Sequence, residues 1–169
     1  MPSAKHSSLL VPAQSLCTAF STHALLPNLL SHFSRSATAH EHGHPDLAPF
    51  LGRTFSGLFS AKTPSSSASN ITECSRSPGD SSLPQYFSLL AELLEYSNME
   101  FGDWIVDEER NVVCCRGKAR FLWKSTGVAW DEVFYYRLGM VLENEDEERS
   151  SEGNWKVESY EVWADSGAL

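Results

Sequence analysis

Positive charge is in short supply in this chain: 13 Lys and Arg stand against 22 Asp and Glu, for a formal net charge of −9. Residues 1–98 carry six acidic and five basic side chains, so the excess falls on residues 99–169, with sixteen against eight. No basic face is left to compensate phosphates, which argues against nucleic acid and an anionic membrane surface as partners. Long apolar runs are also missing, and no stretch approaches the roughly 20 residues that span a bilayer. Lys5 followed by Leu9-Leu10-Val11 has a faint likeness to a secretion signal, but Pro12 and Gln14 interrupt it and no small-residue cleavage site follows. A cytoplasmic location is expected.

Cysteine is sparse and poorly spaced. Cys17, Cys74, Cys114 and Cys115 contain no C-x-x-C, and the adjacent pair in a strand would point to opposite faces. Reduced thiols are therefore expected. No phosphate-binding loop, dinucleotide-binding glycine pattern or nucleophile elbow is present. Histidine is absent beyond position 44, which bears on any metal site.

What the chain does have is aromatic side chains: five Trp, five Tyr and nine Phe. Most fall inside expected elements, where they imply a large core or a pocket. Residues 1–12 read as a disordered N-terminus, and residues 13–167 as one domain. Helical periodicity covers 13–25 and, restarted by Pro27, 27–33. Residues 37–43 alternate Ala37, Ala39 and Glu41 against Thr38, His40 and His42, and read as extended. Residues 57–82, rich in Ser with Pro64, Pro78 and Gly79, read as a flexible inserted loop. A helix over 83–97 follows, capped by Ser82, with Asn98 as its left-handed stop. From Met99 the period changes to two, which predicts strands at 99–106, 111–124, 129–142 and 154–164. Helices followed by a meander of antiparallel strands imply an α+β fold.

Alternation sorts the strands into faces. Val113, Cys115, Gly117, Ala119, Phe121 and Trp123 share one side; Arg116, Lys118 and Arg120 take the other, toward water or a partner. In the next strand Trp130, Glu132, Phe134, Tyr136, Leu138, Met140 and Leu142 should face inward. Glu132 is then a carboxylate between aromatics, a setting that raises its pKa and suits an acid or base near neutral pH. The plainer alternative is a solvated or arginine-paired strand end. In the last strand Val157, Ser159, Glu161, Trp163 and Asp165 share a side opposite Tyr160 and Val162, with the inward side undecided.

His40-Glu41-His42-Gly43-His44 has the spacing of a metal grip, but no later histidine completes it, and no metal is expected. A histidine at a pocket mouth, acting as acid, base or donor, fits better than a metal ligand. The acidic run Glu143 to Glu148 lacks the spaced ligands and glycine of a calcium loop and reads as a solvated hairpin tip.

The order of these pieces resembles a family. His32-Phe33-Ser34, then Thr38 to Gly43, then Pro49-Phe50-Leu51-Gly52-Arg53, then Tyr86-Phe87 opening a helix, and the closing Tyr160-Glu161-Val162-Trp163-Ala164-Asp165 are similar to the SnoaL-like branch of the nuclear transport factor 2-like superfamily, most like its fungal members. The resemblance covers roughly residues 13–56 and 83–167. It implies a cone, a cystatin-like α+β roll in which about three helices close a curved antiparallel sheet around a pocket. It also implies a small hydrophobic ligand, a homodimer formed through the sheet, and, in catalytic members such as polyketide cyclases and isomerases, cofactor-free proton transfer. Transferred residue by residue, His40, Glu41 and His42 match the short-strand site and Asp165 the closing acid. The expected site is therefore His42 or Glu132 as base, with His40 and Asp165 beside them. Trp104, Phe121, Trp123, Trp130, Phe134, Tyr136 and Trp163 are the expected ligand-binding residues. The rival expectation is a non-catalytic dimeric module of the same fold, paired through Arg116, Lys118 and Arg120.

Overall fold

In the structure, a computed structural model that describes residues 3–58, 81–143 and 154–164, the period-2 segments fall where alternation places them. The elements are α1 (Ala4–Ser21), α2 (Leu26–Leu30), β1 (Phe33–His42), β2 (Thr54–Ser56), α3 (Leu83–Leu93), β3 (Leu94–Asp107), β4 (Val112–Trp123), β5 (Ala129–Glu143) and β6 (Asn154–Ala164). The strands form one curved, unclosed sheet in the order β2-β1-β6-β5-β4-β3. The expected antiparallel pairing holds along the meander from β3 to β6, and the short β2, not expected from the sequence, pairs antiparallel with β1. β1 lies parallel to β6, because the chain returns across the sheet to place its last strand beside its first.

Several boundaries differ from expectation: the second helical piece ends at Leu30, and β1 already starts at Phe33. Residues 4–12, expected to be disordered, are the first half of α1. Ser3 caps this helix by accepting the His6 N–H at 3.0 Å, and Leu9, Ala13, Leu16 and Phe20 bury one stripe of it. Pro12 sits inside the helix without ending it. The helix expected over 83–97 stops at Leu93, since Leu94, Glu95 and Tyr96 pair with Trp123, Leu122 and Phe121 and begin β3. Asn98 does take a left-handed backbone (φ 53°), but in a break of the β3–β4 register rather than at a helix end. Most of the Ser-rich segment expected as a loop, and the expected closing acid Asp165, lie outside the described residues.

The inward side of β4 and β5 is the one alternation indicates. Val113, Cys115, Ala119, Phe134, Tyr136, Leu138 and Met140 are buried. Leu142 is exposed, beyond the register shift at Gly139 and Met140. That same shift resolves β6: Val157 and Tyr160 are both buried although their positions have opposite parity, and Val162 continues the inward side. Gly117 makes one close approach possible, since a Cβ there would run into the Phe134 ring lying across it. Cys17 of α1 and Cys115 of β4 meet in this core, with their sulfurs 3.9 Å apart. Both are free thiols, as is Cys114. Helices α1 and α3 cover the inner face, and no helix among the described residues is long and apolar enough to cross a membrane.

Candidate active site

The inner face does not fill completely. A cavity of about 300 Å³ remains between α1, α2, α3 and the sheet. Its wall is aromatic and aliphatic: Phe20 from α1, Leu29 from α2, Tyr86 and Phe87 from α3, and Phe121, Trp130, Phe134, Tyr136 and Tyr160 from the sheet. The rings contact one another at 4.9 to 6.3 Å between centroids, in edge-on, tilted and stacked pairs.

Two carboxylates interrupt this wall, Glu41 from β1 and Glu132 from β5. β1 places Glu41 by simple parity. Ala37 and Ala39 are fully buried on the inner side, so the next residue of the same parity points inward too. The Phe50-Leu51-Gly52-Arg53 turn then packs against it. The Gly52 N–H donates to the Glu41 carbonyl at 2.8 Å, and Phe50 and Leu51 join the cavity wall. Gly52 takes φ 64°, and a Cβ there would press on the Gly43 carbonyl, so glycine is required at the turn.

The Tyr86 hydroxyl donates to Glu41 Oε2 at 2.8 Å. Burial pushes the Glu41 carboxyl up to about 7; the Tyr86 hydrogen bond opposes the shift, and the nearby Glu132 adds to it. Burial also holds the phenols of Tyr86, Tyr136 and Tyr160 well above their ordinary range, so all three stay protonated and can donate. The Tyr160 ring meets those of Tyr86 and Tyr136 edge-on, at 6.2 and 4.9 Å between centroids, so the three phenols cluster beside Glu41. Near the start of β5, the Trp130 Nε1–H donates to Glu132 Oε2 at 2.8 Å. The arrangement offers a carboxyl that can both take and return a proton at neutral pH, neutral hydroxyl donors, and an apolar bed.

The expected site residues divide between the two faces of the sheet. Phe121, Trp130, Glu132, Phe134 and Tyr136 line the cavity. Trp104 and Trp123 pack on the core cluster away from the cavity wall. His40 and His42 stand on the outer side of β1, because they share parity with Thr38 and not with Ala37 and Ala39. There His42 stacks on Trp163 (4.3 Å between centroids, 10° between planes), and its Nε2 lies 3.6 Å from Glu161 Oε2. His40 meets His42 edge-on at 4.5 Å and hydrogen-bonds Thr54 at 3.1 Å. Trp163 is therefore an outer-face residue as well. Glu41, matched to the short-strand site by the resemblance, was passed over as the base in favour of His42 and Glu132, although the alternation that grouped it with Ala37 and Ala39 was the signal for it. Among the described residues, no group of three His, Cys, Asp or Glu is placed to hold a metal ion. The basic stripe Arg116, Lys118 and Arg120 is engaged within the chain, by Asp103, Glu100 and Asp131 at 3.8, 3.0 and 3.1 Å.

The fold has solved counterparts. A ketosteroid isomerase-like protein from Erwinia carotovora atroseptica superposes with a TM-score of 0.58 at 14% identity, over 97% of this chain and 98% of that one. This chain has the nuclear transport factor 2-like fold. An NTF2-like protein of unknown function from Burkholderia pseudomallei matches with a TM-score of 0.63 at 12% identity, covering 95% of this chain and 93% of its own. The BvnE pinacolase of Penicillium brevicompactum, of the same fold, gives 0.58 at 12% identity, over 96% and 89%. No protein-family model matches the sequence, and no curated protein does. At such identities the likeness to NTF2-like proteins is one of fold, and the chemistry has to be argued from the cavity itself.

Proposed function

We propose that the cavity binds a small hydrophobic molecule and moves a proton on it without a cofactor, as in an isomerisation, cyclisation or dehydration. One observation carries this reading: a carboxyl held near pH 7 by burial, hydrogen-bonded by a tyrosine and facing an aromatic-walled cavity. In its ionised form Glu41 takes a proton from carbon next to a carbonyl, and in its protonated form it returns one. A general base of this kind contributes roughly 10²–10⁴-fold. Tyr86 orients the carboxyl, and the Tyr136 and Tyr160 hydroxyls supply donors for oxygen charge that develops on the substrate. Glu132, fixed by Trp130, is the second acid-base group of the site. A ketosteroid isomerase-like protein and a pinacolase among the fold neighbours are consistent with this class of chemistry.

The test is exchange of α-protons into D2O, followed by NMR, across a panel of bicyclic aromatic and enone ketones. The expected result is exchange above background for at least one ketone, lost in Glu41→Gln and retained in His42→Ala. A panel without exchange, and without any rise in melting temperature of the protein, overturns the reading.

A second reading concerns the outer face. Val133, Tyr135 and Trp163 are exposed there, and Tyr135 and Trp163 are paired across β5 and β6. Their apolar area supports self-association through the sheet. Light scattering on Tyr135→Glu checks it: a dimer that becomes a monomer supports this reading, and a wild-type monomer ends it.

A further inference from the structure

The cavity has a deep side and a rim. Phe20, Tyr136 and Tyr160 at its base are buried, whereas Ala24, Tyr96, Phe121 and Trp130, which also line it, stay half-buried. Tyr96, Phe121 and Trp130 are direct partners across β3, β4 and β5, so the rim lies at the end of the sheet where β3 begins. Their rings form a row, at 6.3 and 5.7 Å between centroids. A fourth ring extends it. His23, in the turn between α1 and α2, stacks on Tyr96 at 4.6 Å and 17°. His23 is itself exposed, so the row runs from solvent to the cavity.

This ring is held against a backbone preference. The His23 N–H donates to the Phe20 carbonyl at 3.0 Å and the Ala24 N–H to the Ala19 carbonyl at 2.9 Å, a helix cap whose left-handed residue is usually glycine. His23 takes φ 53° there. A histidine gives up the ease with which glycine adopts that conformation and gains a ring over Tyr96.

The two halves of the stack are anchored differently. Tyr96 belongs to β3, and its hydroxyl donates to the Phe20 carbonyl at 3.0 Å. The turn on the other side carries Leu25, which is 75% exposed, and α2 begins there with no side-chain cap. The turn can swing outward with little loss of packing, carrying Ala24 off the rim. We propose that the His23–Tyr96 stack is the latch of the cavity mouth: an apolar ligand enters and leaves when the turn at residues 22–26 swings away from β3, and the stack then closes behind it. This rests on the reading of the cavity as a ligand site and adds its route of entry. The stack forms with the cavity full or empty, so it sets how fast a ligand exchanges and not how tightly it is held.

The test follows prodan, a neutral naphthyl ketone that brightens on leaving water, by stopped flow with the wild-type chain, His23→Asn and His23→Gly. Asn and Gly both suit the left-handed cap, so both variants keep the fold, as melting temperatures would show, and lose only the ring. Association and dissociation rates are expected to rise together by about two- to tenfold, the size of one lost ring pair, with Kd within about twofold of wild type. His42→Ala, which loses a stack on the outer face, should exchange prodan at the wild-type rate. Prodan binding with unchanged rates in both variants overturns the latch and leaves the ligand site standing. Weaker binding at an unchanged association rate does the same, since it makes His23 a part of the wall. Absence of prodan binding to the folded wild-type chain overturns the latch and the ligand-site reading together.

Discussion

Glu41 and His42 are neighbours in the chain and end on opposite sides of one sheet. On the inner side Glu41 meets rings, a single tyrosine hydroxyl and a second carboxylate, and its proton affinity rises toward neutrality. On the outer side His42 lies flat on Trp163 near Glu161, and Glu161 is in turn paired with Arg137 at 2.6 Å. The outer face thus balances its charges locally, in pairs that cross strands and remain open to water. The inner face instead sets two carboxylates among rings, and burial there raises the proton affinity of Glu41. Adjacent residues therefore acquire different chemistry from which side of the backbone they leave, before any difference in side-chain type counts.

The sharpest way to break this contrast is to remove one ring from each side at neighbouring positions. Phe134→Ala opens a hole in the buried wall and should cost about 3–5 kcal/mol in urea unfolding. Tyr135→Ala, next to it but exposed, should cost under about 1 kcal/mol. Equal losses would mean that the two faces are packed alike.

Glu41→Gln tests the inner charge. A carboxyl raised from 4.5 to about 7 by folding keeps its proton while the unfolded chain loses one. Stability therefore falls as pH rises from about 4.5 to about 7, by about 3 kcal/mol in all, and is flat above. Glu41→Gln should flatten that slope and leave the protein more stable than wild type at pH 8. An unchanged slope would place the carboxyl in water.

A smaller effect separates two glycines of the same sheet. Gly117→Ala drives a methyl group into the Phe134 ring and should lower stability by about 1–3 kcal/mol. At Gly102 a Cβ meets nothing within 4 Å, and Gly102→Ala should be close to neutral or mildly stabilising by thermal melting. The smallest change is expected outside. His42→Ala loses a stacked pair worth about 1 kcal/mol. It should change Trp fluorescence, through the freed Trp163 ring, without changing ligand binding in the cavity.

Much of this contrast was legible in the residues, and the parts that were not have identifiable causes. β4 pairs with β5 without a register break, so period-2 counting placed Phe121, Phe134 and Tyr136 on the inner side and the Arg116, Lys118 and Arg120 stripe on the outer. β3 and β6 contain register shifts, and each one reverses the parity that follows it. That is why the inward side of the last strand was left undecided and why Trp163 was grouped with the pocket. The first helix was expected to start late because Pro12 weakens a run whose burying residues, Leu9 and Ala13, lie on both sides of it. His40 and His42 drew attention for their chemistry, while parity had already set them apart from Ala37 and Ala39.

Sequence by itself determined the elements, their order and, wherever a strand runs unbroken, the face on which each side chain stands. Those are local properties, fixed by backbone alternation and by the spacing of apolar residues. Only the tertiary structure decided that the inner face keeps a cavity, that Tyr86 reaches Glu41 from a helix 45 residues along the chain, and that Glu132 comes close enough for its charge to be felt. A carboxyl's affinity for its proton depends on the water, charges and donors around it. Here those come from α3, β5 and β6, and no window of sequence around Glu41 contains them.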